Sequence, residues 1–323
     1  MRVENRKALL VGIDTYASGI NNLHACVADV QRMGELLEHH ERGDPNFSCK
    51  LLTSSNSTVT KERFEQAVDL LFQGNPDMVL YYFSGHGSTH ENKGYMICQD
   101  TQKEDISTGF PMDQLLLKAN ESQVPEIVII LDCCHAGALG NFSLEGSPIT
   151  QLREGITVLA ATLSSEYAVE RMGHGVFTKL LCQGLEGVSA DILGHVTAAS
   201  LYNLADSMLS PWEQRPVYKS FVNKMKPLRY CLPKIPKKAL RRINQHFPQP
   251  DASIQLSESF LEHTRQATPS DVGLFKELLD YESVGLVQGR MAKTLTSEAE
   301  IQGTCILTEY GKLFWQTVAK GLV

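Results

Sequence analysis

The stretch that decides the fold is residues 126–137, which read Glu-Ile-Val-Ile-Ile-Leu-Asp-Cys-Cys-His-Ala-Gly. Its five apolar residues, 127–131, run without a polar break and are mostly β-branched, a pattern typical of a strand buried on both faces of a parallel sheet. In open α/β sheets the reacting groups lie beyond the carboxyl ends of the strands. We therefore expect a catalytic group among the residues that follow the apolar run, Asp132, Cys133, Cys134 and His135.

A second apolar run, residues 78–83, also ends in polar residues, here Ser84-Gly85-His86-Gly87. The glycines on either side of His86 allow a tight turn and a close approach of other backbone. If the two strands are neighbours, His86 and a thiol meet at one edge of the sheet. Because a nearby imidazole converts a thiol into the more nucleophilic thiolate, the two motifs indicate nucleophilic catalysis by a Cys–His pair.

The remainder of residues 1–223 alternates between strands and helices. Further strands are predicted at 7–12, 47–52, 95–98 and 156–161, with an edge strand at 215–221. Helices are predicted at 24–40, 60–72 with Thr60 as N-cap, 112–119, 176–185 and 197–208. This alternation predicts an α/β fold, in which helices cover both faces of a mainly parallel sheet.

The two motifs resemble those of the caspase-like cysteine peptidases, on the metacaspase side of that group (clan CD, family C14). A histidine roughly 50 residues upstream of the cysteine is the caspase arrangement, whereas the Gln-Ala-Cys-x-Gly signature of animal caspases is absent. The resemblance covers residues 7–221 and includes Gly12-Ile13-Asp14-x-Tyr16 and Gly175-Val176-Phe177-Thr178. It implies a caspase-like, mostly parallel six-stranded sheet in a prokaryotic member of the group.

Metacaspase-type motifs read Asp-x-Cys-His-Ser-Gly, and their nucleophile is the cysteine directly before the histidine. The resemblance therefore implies Cys134 as nucleophile and His86 as its general base, although Ala136 replaces the usual serine. The backbone N–H groups of Gly87 and Cys134 are the candidates for the oxyanion hole that such a reaction needs. Because neighbouring strand residues face opposite sides, we interpret Cys133 as an inert buried residue.

The resemblance also implies an acidic S1 pocket, the pocket that receives the substrate residue before the cleaved bond. In related families its residues come from a Cys-x-x-Asp on the first helix, the serine two before the histidine and the aspartate two before the nucleophile. The matching positions are Cys26, Asp29, Ser84 and Asp132. Two carboxylates in one cleft would bind a guanidinium or ammonium group. The alternatives are a solvated surface acid for Asp29 and a strand-end cap for Asp132.

A metal site at the thiol is disfavoured, because the adjacent residues Cys133, Cys134 and His135 cannot converge with His86 in a tetrahedron. No cofactor is expected for the chemistry. Metacaspases often bind calcium at an acidic cluster away from the thiol, so the resemblance leaves calcium open as an activator. Three acidic residues, Asp100, Glu104 and Asp105, are candidates, although a solvated loop is the simpler interpretation.

We therefore expect a cysteine endopeptidase that cleaves proteins or peptides after Arg or Lys. Two alternatives remain: a catalytically silent scaffold or adaptor, and another Cys–His enzyme such as an acyl transferase. The loop 137–153 follows the nucleophile strand and has one basic residue, Arg153. Arg153 is a candidate self-cleavage site, and an intact single chain is the alternative.

Composition limits the other function classes. The net charge of −7 argues against a general nucleic-acid binder. The sequence shows no signal peptide and no apolar run near the ~20 residues that span a bilayer. The eight cysteines form neither a disulfide framework nor a Cys-x-x-Cys metal motif, which favours a reducing cytoplasm.

The sequence predicts a division into a peptidase domain (1–223), a basic, proline-containing tether (224–250) and a small C-terminal α+β domain (251–323). In the last part, a helix capped by Ser270, strands near 284–287 and 305–307 and a helix capped by Thr308 suggest a winged-helix-like fold. We expect this domain to bind a regulatory protein, with nucleic acid disfavoured by its excess of acids. The appended domain resembles those of bacterial defence proteases, including antiviral ones, at the level of fold analogy alone.

Overall fold

The computed structural model describes residues 4–16, 19–91, 93–133, 152–161, 175–209 and 216–323. The chain divides into two compact units. Unit 1 comprises Met1–Ala190 and His195–Leu232, and unit 2 comprises Asp191–Gly194 and Pro233–Val323.

Unit 1 contains eleven strands and five α-helices in its described part. The strands are β1 (Arg6–Gly12), β2 (Ser48–Thr53), β3 (Met78–Ser84), β4 (Gly87–His90), β5 (Lys93–Met96), β6 (Phe110–Pro111), β7 (Ile127–Asp132), β8 (Ile156–Ala160), β9 (His195–Val196), β10 (Val217–Phe221) and β11 (Arg229–Tyr230). The helices are α1 (Cys26–Glu38), α2 (Lys61–Phe72), α3 (Met112–Glu121), α4 (Gly175–Gln183) and α5 (Ala198–Met208). These elements confirm the predicted strand–helix alternation.

The centre of unit 1 is a six-stranded sheet with the order β10-β8-β7-β3-β1-β2. Its strands pair in parallel except for β10, which is antiparallel to β8. The two central strands β3 and β7 are buried along their whole length, as their unbroken apolar sequences require. The predicted mainly parallel six-stranded sheet is therefore confirmed.

Each face of this sheet packs against its own helices. Alternate residues of β1, β3 and β7 point to opposite faces, so one strand contributes to two cores. Helices α2 and α3 cover the face that carries Tyr81, Phe83 and Leu131. The apolar sides of α1, α4 and α5 cover the other face, which carries Tyr82 and Ile130. The prediction of helices on both faces is confirmed.

Unit 2 is an α+β structure with its own apolar core. Its strands are β12 (Ser253–Gln255), β13 (Val287–Gly289) and β14 (Thr304–Leu307), which form an antiparallel sheet with β14 in the middle. Its helices are α6 (Lys237–Leu240), α7 (Ile243–His246), α8 (Pro269–Ser283), α9 (Leu295–Glu300) and α10 (Glu309–Ala319). The α+β composition and the Thr308 cap are as predicted, since the Thr308 hydroxyl accepts from Gly311 N–H at 2.9 Å.

Three details of unit 2 differ from the sequence-based prediction. Helix α8 begins earlier than expected, with Thr268 rather than Ser270 as N-cap, because Pro269 suits the first helical position. Strand β12 was not predicted, since it has three residues and a single apolar one, Ile254. Helix α9 also lies between β13 and β14, where only a connection was expected.

The predicted tether 224–250 is folded in the structure. Its first part belongs to unit 1, where Leu228 is buried, and residues from Pro233 onward belong to unit 2. Helices α6 and α7 bury Leu240 and Ile243 in the core of unit 2. The lysines, arginines and prolines of this segment masked its widely spaced apolar residues in the sequence.

Among the described residues, no helix combines the length and the apolar character that a membrane crossing requires.

Candidate active site

The two polar motifs meet at the carboxyl edge of the central sheet. Strands β3 and β7 are parallel neighbours, with Ser84 directly opposite Asp132. Just beyond β3, the Gly85 N–H donates to the Asp132 carbonyl oxygen at 3.4 Å. Cys134 itself, with His135, Ala136 and Gly137, lies outside the described residues. Strand β7 therefore ends directly beside the turn that carries His86.

His86 is held by contacts to its backbone and to its ring. Its backbone N–H donates to the Tyr16 hydroxyl at 2.9 Å, and that hydroxyl donates to the Ile13 carbonyl at 3.0 Å. The imidazole lies 4.9 Å from the Tyr16 ring, centroid to centroid. Its Nε2 is 2.8 Å from the carbonyl oxygen of Asn21. These contacts fix both the position and the orientation of the imidazole.

The Asn21 contact also determines the tautomer of His86. A carbonyl oxygen can only accept, so Nε2 carries the proton and the lone pair of the neutral ring is on Nδ1. Burial lowers the pKa of His86, and the hydrogen bond to Asn21 only partly opposes this shift. The imidazole is therefore neutral near pH 7, which is the form that can accept a proton.

The space around position 85, directly before His86, is too small for a side chain. A Cβ at Gly85 would lie 2.8 Å from the Phe83 ring and 3.0 Å from the Tyr16 hydroxyl. Gly87, the candidate oxyanion donor, begins β4 opposite Met96. Because its proposed partner donor, the Cys134 N–H, is not among the described residues, the oxyanion hole stays a prediction.

Cys133 lies on the other face of β7 from Asp132. It is inaccessible to solvent and belongs to the apolar cluster that contains Phe83 and Leu131. This environment supports the interpretation of Cys133 as a buried structural residue. A thiol buried in this way is inaccessible to a substrate.

The four candidate S1 residues come together on the face covered by α1. Helix α1 contributes Cys26 and Asp29, while Ser84 and Asp132 end β3 and β7. The charges of Asp29 and Asp132 both act on the Cys26 thiol, whose pKa is raised mainly by burial. The structure thus groups these residues, whereas their role in substrate binding stays a prediction.

The position of α1 depends on Gly12 and Asp14, which belong to a motif recognised in the sequence without a role. A Cβ at Gly12 would lie 2.6 Å from the Cys26 carbonyl oxygen, so only glycine lets the helix start this close to β1. The Asp14 carboxylate accepts from the N–H groups of Cys26 at 2.8 Å and Val27 at 3.2 Å. It caps a helix that has no side-chain cap of its own.

The ionised forms of the two candidate pocket carboxylates are disfavoured by burial and by neighbouring negative charges. Burial and the charge of Asp14 raise the pKa of Asp29 to about 6. Burial, partly offset by a hydrogen bond from Thr178, and the charge of Asp29 raise the pKa of Asp132 to about 7. Two buried polar atoms, Asp29 Oδ2 and Ser84 Oγ, have no hydrogen-bond partner among the described residues. The Ser84 hydroxyl lowers the pKa of Cys26 but does not reach hydrogen-bond geometry with it.

Sequence reasoning missed two residues behind this pocket. The Thr178 hydroxyl of α4 donates to Asp132 Oδ2 at 2.6 Å, and the Tyr82 hydroxyl is 2.6 Å from Thr178 Oγ1. The match of Gly175-Val176-Phe177-Thr178 to the family pattern was the available signal. It could not identify a role, because α4 follows β7 by more than 40 residues of sequence.

The self-cleavage candidate Arg153 is anchored by its own side chain. Its guanidinium group donates to four oxygens, which belong to Ala119, Ser122, Val124 and Glu154. Its backbone N–H donates to the Asn120 side chain at 2.9 Å. To serve as a P1 residue, Arg153 would have to give up all of these bonds, which supports the alternative of an intact chain. Cleavage at this site stays a prediction.

Two of the three acidic residues considered for calcium accept local hydrogen bonds, and calcium as an activator stays a prediction. Asp100 accepts from the Lys61 N–H at the start of α2, and Asp105 accepts from the backbone and hydroxyl of Ser107. No three His, Cys, Asp or Glu side chains in the described ranges are grouped so as to hold a metal ion.

Comparison with known proteins identifies the family. The family model described as the caspase domain (Peptidase C14) matches residues 5–226. The chain therefore belongs to the caspase-domain peptidases. No curated protein matches the chain.

Solved structures agree on the fold. A protein from Geobacter sulfurreducens has a TM-score of 0.51 at 16% identity, over 70% of this chain and 99% of that one. Caspase-1 from Spodoptera frugiperda has a TM-score of 0.51 at 11% identity, over 70% and 92%. The Drosophila initiator caspase Dronc has a TM-score of 0.50 at 12% identity, over 69% and 82%. At these identities the similarity establishes the caspase fold alone.

Proposed function

We propose that this protein is a cysteine endopeptidase that cleaves protein substrates after Arg or Lys. The proposal rests on two carboxylates, Asp29 and Asp132, whose pKa values are raised by burial. They are grouped beside the end of the strand that leads to the nucleophile. Carboxylates with raised pKa values favour a cation that restores their charged form. An acidic P1 side chain would meet repulsion at the same place.

In the proposed chemistry, His86 Nδ1 removes the proton from the Cys134 thiol, and the thiolate attacks the scissile carbonyl. The N–H groups of Gly87 and Cys134 stabilise the negative charge on the carbonyl oxygen. His86 then gives its proton to the leaving amine, which departs and leaves a thioester. Water, deprotonated by His86, hydrolyses that thioester and restores the thiol.

The Asn21 carbonyl has a defined part in this scheme. When His86 becomes an imidazolium, both ring nitrogens carry protons, and Nε2–H remains bonded to Asn21. The acceptor thus stabilises the charged ring and keeps Nδ1 pointed at the reacting atoms throughout the cycle. Orientation of the base by a third group is the arrangement that Cys–His catalysis requires.

Three substitutions test the dyad. Cys134→Ala and His86→Ala should abolish cleavage of a peptide with P1 arginine, whereas the matched control Cys133→Ala should remain active because Cys133 lies in the core. Circular dichroism would check that each variant is folded. An inactive, folded Cys133→Ala beside an active Cys134→Ala would show that the nucleophile is misassigned.

The same assay separates the other functions. A silent scaffold would leave Cys134 unreactive towards a chloromethyl ketone that carries a P1 arginine. An acyl transferase would consume small thioesters and spare internal peptide bonds. Running the assay with calcium and with a chelator tests calcium as an activator, while the chemistry as proposed needs no cofactor.

Unit 2 provides no residue of the proposed chemistry, since every candidate catalytic and S1 residue lies between positions 26 and 134. We assign it the recruitment of a regulatory protein partner, which would make this a regulated protease in signalling or defence. A pull-down with unit 1 alone beside the full chain tests that role, because a partner retained by unit 1 alone would contradict it.

A further inference from the structure

A buried chain of hydroxyl groups ends on the candidate S1 carboxylate. Tyr82 from β3, Thr178 from α4 and Asp132 from β7 are at most 1% exposed. Both contacts in the chain, Tyr82 to Thr178 and Thr178 to Asp132, are 2.6 Å long. Three separate elements of unit 1 thus meet in one hydrogen-bonded line behind the pocket.

The direction of these hydrogen bonds follows from counting protons. The Thr178 hydroxyl has one proton and gives it to Asp132 Oδ2, because an ionised carboxylate can only accept. The Tyr82 hydroxyl must then be the donor in its contact with Thr178. Both donors point towards Asp132, so the chain stabilises the charged form of the carboxylate.

The hydrogen-bonded hydroxyl groups oppose the other influences on the pKa of Asp132. Burial and the charge of Asp29 raise the pKa of Asp132, whereas Thr178 lowers it through its side chain and its backbone N–H. The other titratable groups near this site are Asp29 and Cys26 of α1, Asp14 beyond β1 and Cys182 of α4. None of them supplies a cation, so in the described site ionisation of Asp132 is favoured by the backbone N–H of Thr178 and by the two hydroxyl groups.

We propose that Thr178, backed by Tyr82, is a positioning residue that holds Asp132 in place for a cationic P1 side chain. Thr178 occupies one lone pair of Asp132 Oδ2 and ties it to α4, while the remaining acceptor capacity of the carboxylate serves the guanidinium or ammonium group. This inference rests on the proposed function. It adds that P1 selectivity depends on two uncharged residues that do not touch the substrate.

The test compares Thr178→Val, which removes the hydroxyl at nearly constant shape, with Thr178→Ser, which retains it. For a peptide with P1 arginine, Thr178→Val should raise KM about tenfold or more, since a hydrogen bond to a charged group contributes ~1.5–3 kcal/mol. It should leave kcat within a small factor, and Thr178→Ser should restore most of the affinity. The rate of Cys134 alkylation by iodoacetamide, which does not use the S1 pocket, should stay unchanged.

The pH profile gives a readout that a packing defect would not move. Cation binding needs ionised Asp132, so KM should rise as the pH falls below the pKa of that group. Without the Thr178 hydroxyl, this rise should begin about one pH unit higher. A tenfold change in KM and a shift of one pKa unit correspond to the same free energy, 1.36 kcal/mol. Tyr82→Phe should shift the profile in the same direction by a smaller amount, and it serves if Thr178→Val fails to fold.

Two outcomes would overturn the inference: an unchanged KM and pH profile in both Thr178→Val and Tyr82→Phe, or an equal loss in Thr178→Val and Thr178→Ser. A substrate-free titration of the Asp132 carboxyl by ¹³C NMR, assigned with Asp132→Asn, separates this result from failure of the proposed function. If wild type shows no preference for P1 arginine, the proposed function fails. The titration would still show whether Thr178 and Tyr82 hold Asp132 ionised.

Discussion

Asp132 in unit 1 and Glu298 in unit 2 are both buried carboxylates, but their surroundings are opposite. Glu298 accepts from the backbone N–H groups of Met291, Ala292 and Thr304 at 2.5–3.0 Å. Burial raises the pKa of Glu298, yet these bonds outweigh it and leave the pKa below its usual value. At Asp132, burial and the like charge of Asp29 outweigh the Thr178 bonds, and the pKa rises to about 7.

The difference separates a structural acid, Glu298, from the acid that we propose binds the substrate, Asp132. Unit 2 is built around Glu298 so closely that a Cβ at Gly303 would lie 2.2 Å from its Oε1. Such a site has no capacity left for a ligand. The Asp132 site leaves acceptors unused beside it, at Asp29 Oδ2 and Ser84 Oγ. Incomplete satisfaction of this kind costs stability and is found where a protein binds something.

The largest expected effect is the loss of stability on substitution of Glu298, the acid whose oxygens accept several backbone hydrogen bonds. Glu298→Gln keeps the shape but turns an amide N–H₂ towards backbone donors, so at least two buried N–H groups lose acceptors at ~1–3 kcal/mol each. We therefore expect the free energy of unfolding of unit 2 to fall by ~2–6 kcal/mol. Urea unfolding followed by the fluorescence of Trp315, in a Trp212→Phe background, measures the loss.

The matched control is Glu300→Gln, an exposed residue two positions away, which should leave the midpoint unchanged. A Glu298→Gln variant as stable as this control would remove the contrast between the two acids. Cleavage of a small peptide by unit 1 should survive in both variants, because the proposed site contains no residue of unit 2.

Substitution of Asp132 should have the opposite effect and stabilise the fold at high pH. A pKa raised from 3.8 to about 7 contributes stability that is complete below pH ~4 and is lost as the pH rises through ~7. About three pKa units correspond to an upper bound of about 4 kcal/mol. We therefore expect Asp132→Asn to stabilise unit 1 at pH 8 without substrate, and this gain should vanish near pH 4.

Hydrogen exchange of the β3 and β7 amides across this pH range would measure the gain. Asp113→Asn, a substitution near the start of α3 and away from the pocket, provides the control. Destabilisation by Asp132→Asn at every pH would show that Asp132 is a structural acid like Glu298.

A smaller effect tests where unit 1 ends. Residues 224–232 belong to unit 1, where Leu228 is buried and the Leu228 carbonyl accepts from the Asn46 side chain at 2.8 Å. A chain that ends at Leu232 should fold and keep kcat/KM for a small P1-arginine peptide. A chain that ends at Asn223 should be less stable by ~2 kcal/mol, the burial of one leucine. A folded but inactive 1–232 chain would contradict the assignment of all chemistry to unit 1.

Much of unit 1 could be predicted because its signals are local. The unbroken apolar runs of β3 and β7 and the helical spacing in α1 and α2 each lie within about ten residues. The Thr60 cap of α2 is confirmed for the same reason, with its hydroxyl accepting from the Arg63 N–H at 3.3 Å. The ends of β3 and β7 could be predicted to meet because parallel strands end at a common edge.

The contacts that could not be predicted join residues far apart in sequence. Nothing near Thr178 indicates that its hydroxyl meets Asp132, and nothing near Asn21 indicates a partner for His86. The boundary of unit 1 differs from the predicted one for a similar reason, since Leu228 is recognisable as core only when β1 and residues 46–47 lie beside it. A basic, proline-containing composition described the surface of that segment and not its buried side.

The central claim is that the acids at the sheet edge receive a cation, and the most direct test compares P1 arginine with P1 citrulline, its uncharged analogue of nearly the same shape. Breaking a buried charge pair on one side costs ~3–5 kcal/mol, so wild type should prefer arginine by at least about 100-fold in kcat/KM. Asp132→Asn should remove most of this preference by raising KM for the arginine peptide alone. Equal cleavage of the two peptides by wild type, or efficient cleavage after Asp, would contradict the account.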